Sequence, residues 1–82
     1  SGVNMGGYSQ LVVEANEKAD PQHMGVMLGR ACIAHKIPAS VVAEELDISR
    51  QTVYHWFSGS VKPAKEKEPA IHYLIQRLAE KN

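Results

Sequence analysis

The chain is poor in cysteine: Cys32 is the only thiol among its 82 residues. A single thiol cannot form a disulfide within the chain, which excludes a disulfide-stapled scaffold and favours a reducing, cytoplasmic location. No apolar run approaches the roughly 18 residues that a membrane-spanning helix requires, so we expect no membrane association. Nine basic and nine acidic residues cancel. The net charge therefore gives no bulk attraction to nucleic acid or membrane.

The signatures of common enzymes are also missing. The chain has no P-loop, no dinucleotide-binding fingerprint and no recognisable nucleophile–base arrangement. Cys32 and His35 form one local pair of metal-ligand types, whereas a structural zinc site needs two such pairs. We therefore expect no catalytic activity, no metal and no cofactor.

What the chain does have is helical spacing of its apolar residues over nearly its whole length. Hairpin signals and sustained strict alternation are missing, so strands are poorly supported. The spacing predicts an all-α fold, a compact domain of four to five helices. The predicted helices cover residues 8–18, 21–36, 39–46 and 50–57, and a last one begins at Pro69.

Two of these helices are placed by their ends and their apolar stripes. Asp20-Pro21 is typical of a helix start, because Asp accepts hydrogen bonds from free N–H groups and Pro fits the first helical position. The inner face of that helix is expected to carry Met24, Met27, Leu28, Ala31 and Cys32. The first helix would pack Leu11, Val12 and Ala15 inward, although Val12-Val13 also permits a short extended segment.

Residues 39–58, ASVVAEELDISRQTVYHWFS, carry the most informative pattern. Two short helices are separated by a three-residue turn, and the small Ala43 lies where the helices must cross closely. This spacing is typical of a helix-turn-helix. Ser49 is expected to cap the second helix and Gly59 to end it. Its inner face would carry Val53, Trp56 and Phe57.

In this stretch the chain resembles the phage-repressor and Cro-like (lambda-repressor-like) helix-turn-helix family. The matching positions are Ala43, Asp47, Ile48-Ser49, Val53 and Trp56, continued by Trp56-Phe57-Ser58-Gly59 and Lys62-Pro63. The turn position is usually glycine in that family, and Asp47 replaces it here; Asp tolerates the left-handed conformation better than most residues. The resemblance implies a small transcriptional regulator that binds double-stranded DNA with its second helix in the major groove.

The domain organisation follows from this motif. Residues 1–4 look like the remnant of a cleaved expression tag. Residues 5–20 form an N-terminal extension, and residues 21–82 form the helix-turn-helix DNA-binding domain.

The outer side of the second helix carries side chains that suit base edges. At about 100° per residue, Gln51 and His55 lie opposite the apolar face, with Arg50 at the N-terminal end. Arg pairs well with guanine and Gln with adenine. With the family's contact pattern carried over, the predicted base-reading residues are Arg50, Gln51, Tyr54 and His55. Backbone contacts are expected from Ser40, Ser49, Thr52, Ser58, Lys62 and Lys65.

Charge is divided unevenly along the chain. Residues 1–48 hold three basic and six acidic residues, and residues 49–82 hold six basic and three acidic ones. The formal charges are therefore −3 and +3, and the basic half includes the predicted recognition helix. Lys62 and Lys65 are placed to meet phosphate. Alternatively, residues 65–68 form a solvated, self-paired run, an interpretation that suits Lys67 best.

Several alternatives remain open at the level of sequence. The acidic Glu44-Glu45-Asp47 cluster favours a protein-interaction module that reuses the fold, and an antitoxin is a third possibility. A recognition helix this short reaches few base pairs, so a homodimer is expected. Its interface would be Leu11-Val12-Val13 or, less favoured, the outer side of the last helix near Tyr73 and Leu78. Otherwise the N-terminal segment simply covers the monomer's own core.

Overall fold

Five α-helices and one 3₁₀ turn make up the computed structural model, which describes residues 7–80. The helices are α1 (Gln10–Lys18), α2 (Met24–Ala34), α3 (Ala39–Leu46), α4 (Arg50–Ser58) and α5 (Glu68–Ala79), and the 3₁₀ turn is Lys65–Lys67. No strand occurs between residues 7 and 80, so the predicted all-α class is confirmed. The suggested tag remnant lies outside the described residues. Every helix in the described part of the chain is too short or too polar to cross a bilayer.

Helix α2 lies at the centre of the fold and packs against α1, α4 and α5, while α3 packs against α4. The fully buried side chains come from four of the helices: Val26, Leu28, Cys32, Val42, Val53, Phe57 and Ile71. Tyr8, just before α1, is 2% exposed and belongs to the same core, against which Val12 and Val13 also pack. The N-terminal segment therefore covers part of the chain's own core.

The helix-turn-helix forms where the sequence predicts it, because its ends are set by local hydrogen bonds. The Ser49 Oγ accepts from the Thr52 N–H at 3.1 Å and caps α4. Asp47 takes the left-handed conformation with φ of 56°, and Gly59 ends α4 with φ of 81°. Three residues therefore separate α3 from α4, and Glu44 and Glu45 lie exposed on α3 as expected.

The predicted start of α2 at Asp20-Pro21 is wrong. Asp20 instead closes a turn, in which its Oδ1 accepts from the Gln22 N–H at 2.9 Å. The N-cap is His23, whose Nδ1 accepts from the N–H groups of Gly25 and Val26 at 3.1 and 3.4 Å. An imidazole nitrogen thus takes the capping role that the aspartate was expected to fill, and α2 begins three residues later than the Asp-Pro signal implies.

The predicted inner faces of α2 and α1 need correction as well. Met24, Met27 and Ala31 are only partly buried, and the residues of α2 that are buried include Gly25, Val26, Gly29 and Ile33. The helix also ends at Ala34, before Lys36 with its φ of 58°. In α1 Leu11 is 78% exposed rather than inward, and Asn16 is the buried residue. The polar amide, not the leucine, faces the neighbouring helices.

Two expectations for the C-terminal part are also wrong. Leu78 is 4% exposed and belongs to the core, so it cannot form part of an outer surface of α5. Lys67 is not a solvated, self-paired side chain, because its Nζ donates to the Leu46 carbonyl at 2.7 Å. That bond satisfies a carbonyl at the C-terminal end of α3 and ties α3 to the start of α5.

Candidate nucleic-acid interface

Helix α4 is seated against α2 at two glycines that have no room for a side chain. A Cβ on Gly25 would lie 2.7 Å from the Trp56 carbonyl oxygen, and one on Gly29 would lie 2.8 Å from the Phe57 ring. Residues four apart share one helix face, so the two glycines form a single groove. The backbones of α2 and α4 approach closely there, which fixes the inner side of α4 in the core.

A buried amide joins α4 to α1. The Asn16 Nδ2 donates to the Phe57 carbonyl at 2.8 Å and to the Val26 carbonyl at 3.1 Å. Asn16 is 2% exposed, so both N–H groups of its amide are satisfied by these carbonyls at a site away from water. One side chain thus holds α1, α2 and the C-terminal part of α4 together.

The outer side of α4 has the opposite character. Arg50, Gln51 and His55 are exposed, and none of the three side chains forms a hydrogen bond or ion pair with any other part of residues 7–80. They project from a helix whose other side is immobilised by packing. Their donors and acceptors are therefore available to a partner, on a rigid element.

The fourth predicted base reader, Tyr54, lies at the border of the two sides. It is 36% exposed, and its ring meets the Tyr8 ring edge-on with centroids 6.3 Å apart. Tyr54 is therefore both an exposed side chain on α4 and a contact of the core residue Tyr8.

Three of the predicted backbone-contacting hydroxyls already have partners within the protein. The Ser49 and Thr52 hydroxyls lie 2.9 Å apart in the N-terminal cap of α4. The Ser58 hydroxyl donates to the His55 carbonyl at 3.2 Å and lies 2.9 Å from the Ser60 hydroxyl. Phosphate oxygens only accept hydrogen bonds, so each hydroxyl would have to donate its proton to the phosphate although it also serves a local structural bond.

An open concavity of about 580 Å³ lies between α3 and the start of α4. It brings together Ser40 and Arg50, two of the predicted contact residues, with the acidic side chains of Glu44 and Asp47. The rim of the candidate interface therefore carries both signs of charge, which would weaken attraction to phosphate at this point.

The two predicted phosphate-binding lysines lie in the segment between α4 and α5. Lys62 and Lys65 are both exposed. Lys62 lines a small hollow of about 210 Å³ together with Gln22, His23, Met24, Pro63 and Glu68. Neither lysine lines the concavity that contains Arg50.

The remaining candidate ligands do not form a reactive site. Cys32 is completely buried, and burial raises the pKa of its thiol from 9.0 to about 12, so the thiol stays protonated at neutral pH. No three His, Cys, Asp or Glu side chains come together as a metal-binding group within residues 7–80.

Sequence reasoning missed Tyr8, Asn16 and the glycine groove that together position α4. The Gly25 and Gly29 pair does leave a signal, since two glycines four apart inside a helix lower its intrinsic stability and indicate a close approach. Tyr8 and Asn16 leave none, because their roles depend on which helices pack beside them.

Comparison with known proteins gives no relative from which a role could be transferred: no family model matches the chain, and neither a curated protein nor a solved structure is significantly similar to it.

Proposed function

We propose that the protein is a small, cytoplasmic transcriptional regulator of the lambda-repressor-like type that binds double-stranded DNA sequence-specifically. The observation that carries the proposal is the two-sided build of α4. Its inner side is locked by Gly25, Gly29 and Asn16, while Arg50, Gln51 and His55 face outward without partners inside the described chain. A rigid helix that presents unpaired base-reading side chains is what major-groove readout requires.

Contacts to the DNA backbone would flank this helix. Ser40 and Ser49 lie near the N-terminal ends of α3 and α4, where N–H groups and the helix dipole favour phosphate. Lys62 and Lys65 supply exposed positive charge in the segment that follows α4. These contacts would give affinity and orientation, and the side chains on α4 would give specificity.

We propose further that the regulator acts on DNA as a homodimer, because one nine-residue recognition helix reads too few base pairs by itself. Of the apolar residues expected at the interface, Leu11 at 78% exposed and Tyr73 at 62% exposed remain accessible. Leu11 on α1 stays the favoured contact, since Val12 and Val13 beside it already pack on the core.

Selection of bound sites from random duplex DNA, followed by gel shifts at low and moderate salt, tests the proposal. We expect one enriched motif with two half-sites, and a Kd that rises with salt concentration as phosphate contacts are screened. Arg77→Ala is a matched control for Arg50→Ala, because Arg77 is exposed on α5 and lies over the Tyr73 ring. Binding without any enriched motif would contradict sequence-specific readout.

A protein-interaction module is the second candidate function. Glu44 and Asp47 share the concavity with Arg50, and a mixed-charge surface suits a protein partner better than a phosphate backbone. If this alternative holds, the protein binds no duplex at low salt. Under the first proposal, charge reversal of Glu44 should improve DNA binding. Under this alternative, the same change should leave DNA binding undetectable.

A further inference from the structure

Tyr8 is a buried aromatic residue that lies outside every helix and yet contacts three parts of the fold. Its hydroxyl donates to the Ile37 carbonyl at 2.7 Å, in the link between α2 and α3. Its ring packs against Phe57 with centroids 5.6 Å apart and meets Tyr54 edge-on at an interplanar angle of 88°. Only 2% of the residue is exposed. Tyr8 therefore connects the segment before α1 to the buried and the exposed side of α4.

Tyr54 is the base-reading candidate that most needs such support. Arg50 and Gln51 project into solvent, whereas the Tyr54 ring lies along the protein surface and is 36% exposed. An aromatic ring in edge-to-face contact has a preferred orientation, so a fixed neighbour limits where the ring can lie. The neighbour here is fixed, because the Tyr8 ring is buried and its hydroxyl is hydrogen-bonded.

We propose that Tyr8 is a positioning residue for DNA recognition: it orients the Tyr54 phenol at the DNA-facing side of α4 without touching DNA itself. This inference rests on the proposed function, because it assigns a role within base readout. Burial also raises the pKa of Tyr8, which keeps the hydroxyl protonated and its bond to Ile37 intact at neutral pH.

The test compares base preferences of three variants on the selected site. Tyr8→Leu removes the ring edge that meets Tyr54, Tyr8→Phe keeps the ring and removes only the hydroxyl, and Tyr54→Ala removes the oriented group. We expect Tyr8→Leu and Tyr54→Ala to reduce discrimination at the same base pairs, by about two- to tenfold, the range expected for one aromatic contact. Tyr8→Phe should retain most of the wild-type preference, because burial and the Phe57 contact still hold the ring, even if the variant melts at a lower temperature.

The double variant Tyr8→Leu with Tyr54→Ala separates positioning from general destabilisation. If Tyr8 acts through Tyr54, the second change adds no further loss of discrimination. A Tyr8→Leu protein that melts earlier but keeps the wild-type base preference would overturn the inference and leave the proposed function standing. A wild-type protein with no base preference would overturn both.

A measurement on the unaltered protein covers the case in which Tyr8→Leu does not fold. The ring resonances of Tyr8, assigned with Tyr8→Phe, should shift when the selected duplex is added, because the Tyr54 ring beside it meets the DNA. A random duplex should shift them less. Unchanged Tyr8 resonances at saturation with the selected duplex would contradict the proposal that Tyr8 acts on DNA recognition through Tyr54.

Discussion

The two sides of α4 differ in where their partners come from. On the inner side, Trp56 and Phe57 meet the glycine groove of α2, and the Phe57 carbonyl bonds to Asn16 of α1. On the outer side, Arg50, Gln51 and His55 have no side-chain bond within residues 7–80. Under the proposed function, stability and recognition therefore belong to different sides of one nine-residue helix.

This division means that substitutions on the two sides should change different properties. Inner-side changes should lower the free energy of unfolding, and outer-side changes should alter DNA binding while stability stays near the wild-type value. A small domain has little stability in reserve, so the inner-side effects should be readily visible.

The largest expected effect is that of Trp56→Ala. Trp56 is 3% exposed, and truncating a buried aromatic residue costs about 3–5 kcal/mol. Urea unfolding followed by circular dichroism should find the variant largely unfolded without denaturant. Tyr73→Ala, an aromatic truncation at a 62% exposed site, is the control and should change stability far less. A Trp56→Ala protein with wild-type stability would mean that the inner side does not hold α4.

A matched pair of amide-to-acid changes sharpens the comparison. Asn16→Asp replaces two N–H donors by a carboxylate facing two carbonyls in a buried position, at a cost of about 3 kcal/mol. Gln51→Glu makes the same chemical change on the exposed side and should alter stability by less than about 0.5 kcal/mol. Gln51→Glu should leave the protein folded and weaken DNA binding, because the new carboxylate is repelled by the DNA phosphates. Asn16→Asp should act on DNA binding only through loss of the fold. Equal losses of stability in both variants would mean that the inner and outer sides of α4 do not differ in their contribution to stability.

Smaller changes are expected from Arg50→Ala and Gln51→Ala. Each should remove about 1–3 kcal/mol of discrimination among single-base variants of the selected site, with melting temperatures close to wild type. Gln76→Ala, an exposed amide on α5, is the control for Gln51→Ala. If affinity falls equally for all site variants, these side chains contact phosphate rather than bases.

An effect of a different kind is expected in the pH dependence of stability. Burial raises the pKa of Cys32 from 9.0 to about 12 and also raises that of Tyr8, so the unfolded chain loses these protons before the folded one. The contribution of these two groups to stability should therefore be constant below about pH 9 and should be lost progressively between about pH 9 and 12. Urea titrations across this range should give a shallower decline for Tyr8→Phe. An identical decline in Tyr8→Phe would contradict the attribution of part of this pH dependence to the Tyr8 hydroxyl.

The helix-turn-helix could be predicted from sequence because its determinants are local. Ser49 caps α4 by accepting from the N–H of Thr52, three residues later in the chain. Asp47 and Gly59 end α3 and α4 in left-handed conformations. The outward position of Gln51 and His55 then follows from helical geometry alone.

The rest depended on tertiary packing. Three consecutive apolar residues, Leu11-Val12-Val13, cannot all face one side of a helix, and spacing alone did not identify Leu11 as the exposed one. The sequence indicated Asp20 as the N-cap of α2, but Asp20 closes a turn and the His23 Nδ1 takes the capping role. The buried role of Asn16 becomes visible only once α2 and α4 lie beside it.

The most direct test of the central claim, that the outer side of α4 reads base edges in the major groove, uses modified DNA. In the selected site, each guanine is replaced in turn by 7-deazaguanine, which lacks the N7 acceptor to which an arginine can bind. We predict that one position per half-site loses about 1–3 kcal/mol of binding free energy with the wild-type protein and loses nothing further with Arg50→Ala. Wild-type binding that is indifferent to every replacement, or an Arg50→Ala protein as sensitive as wild type, would contradict the claim.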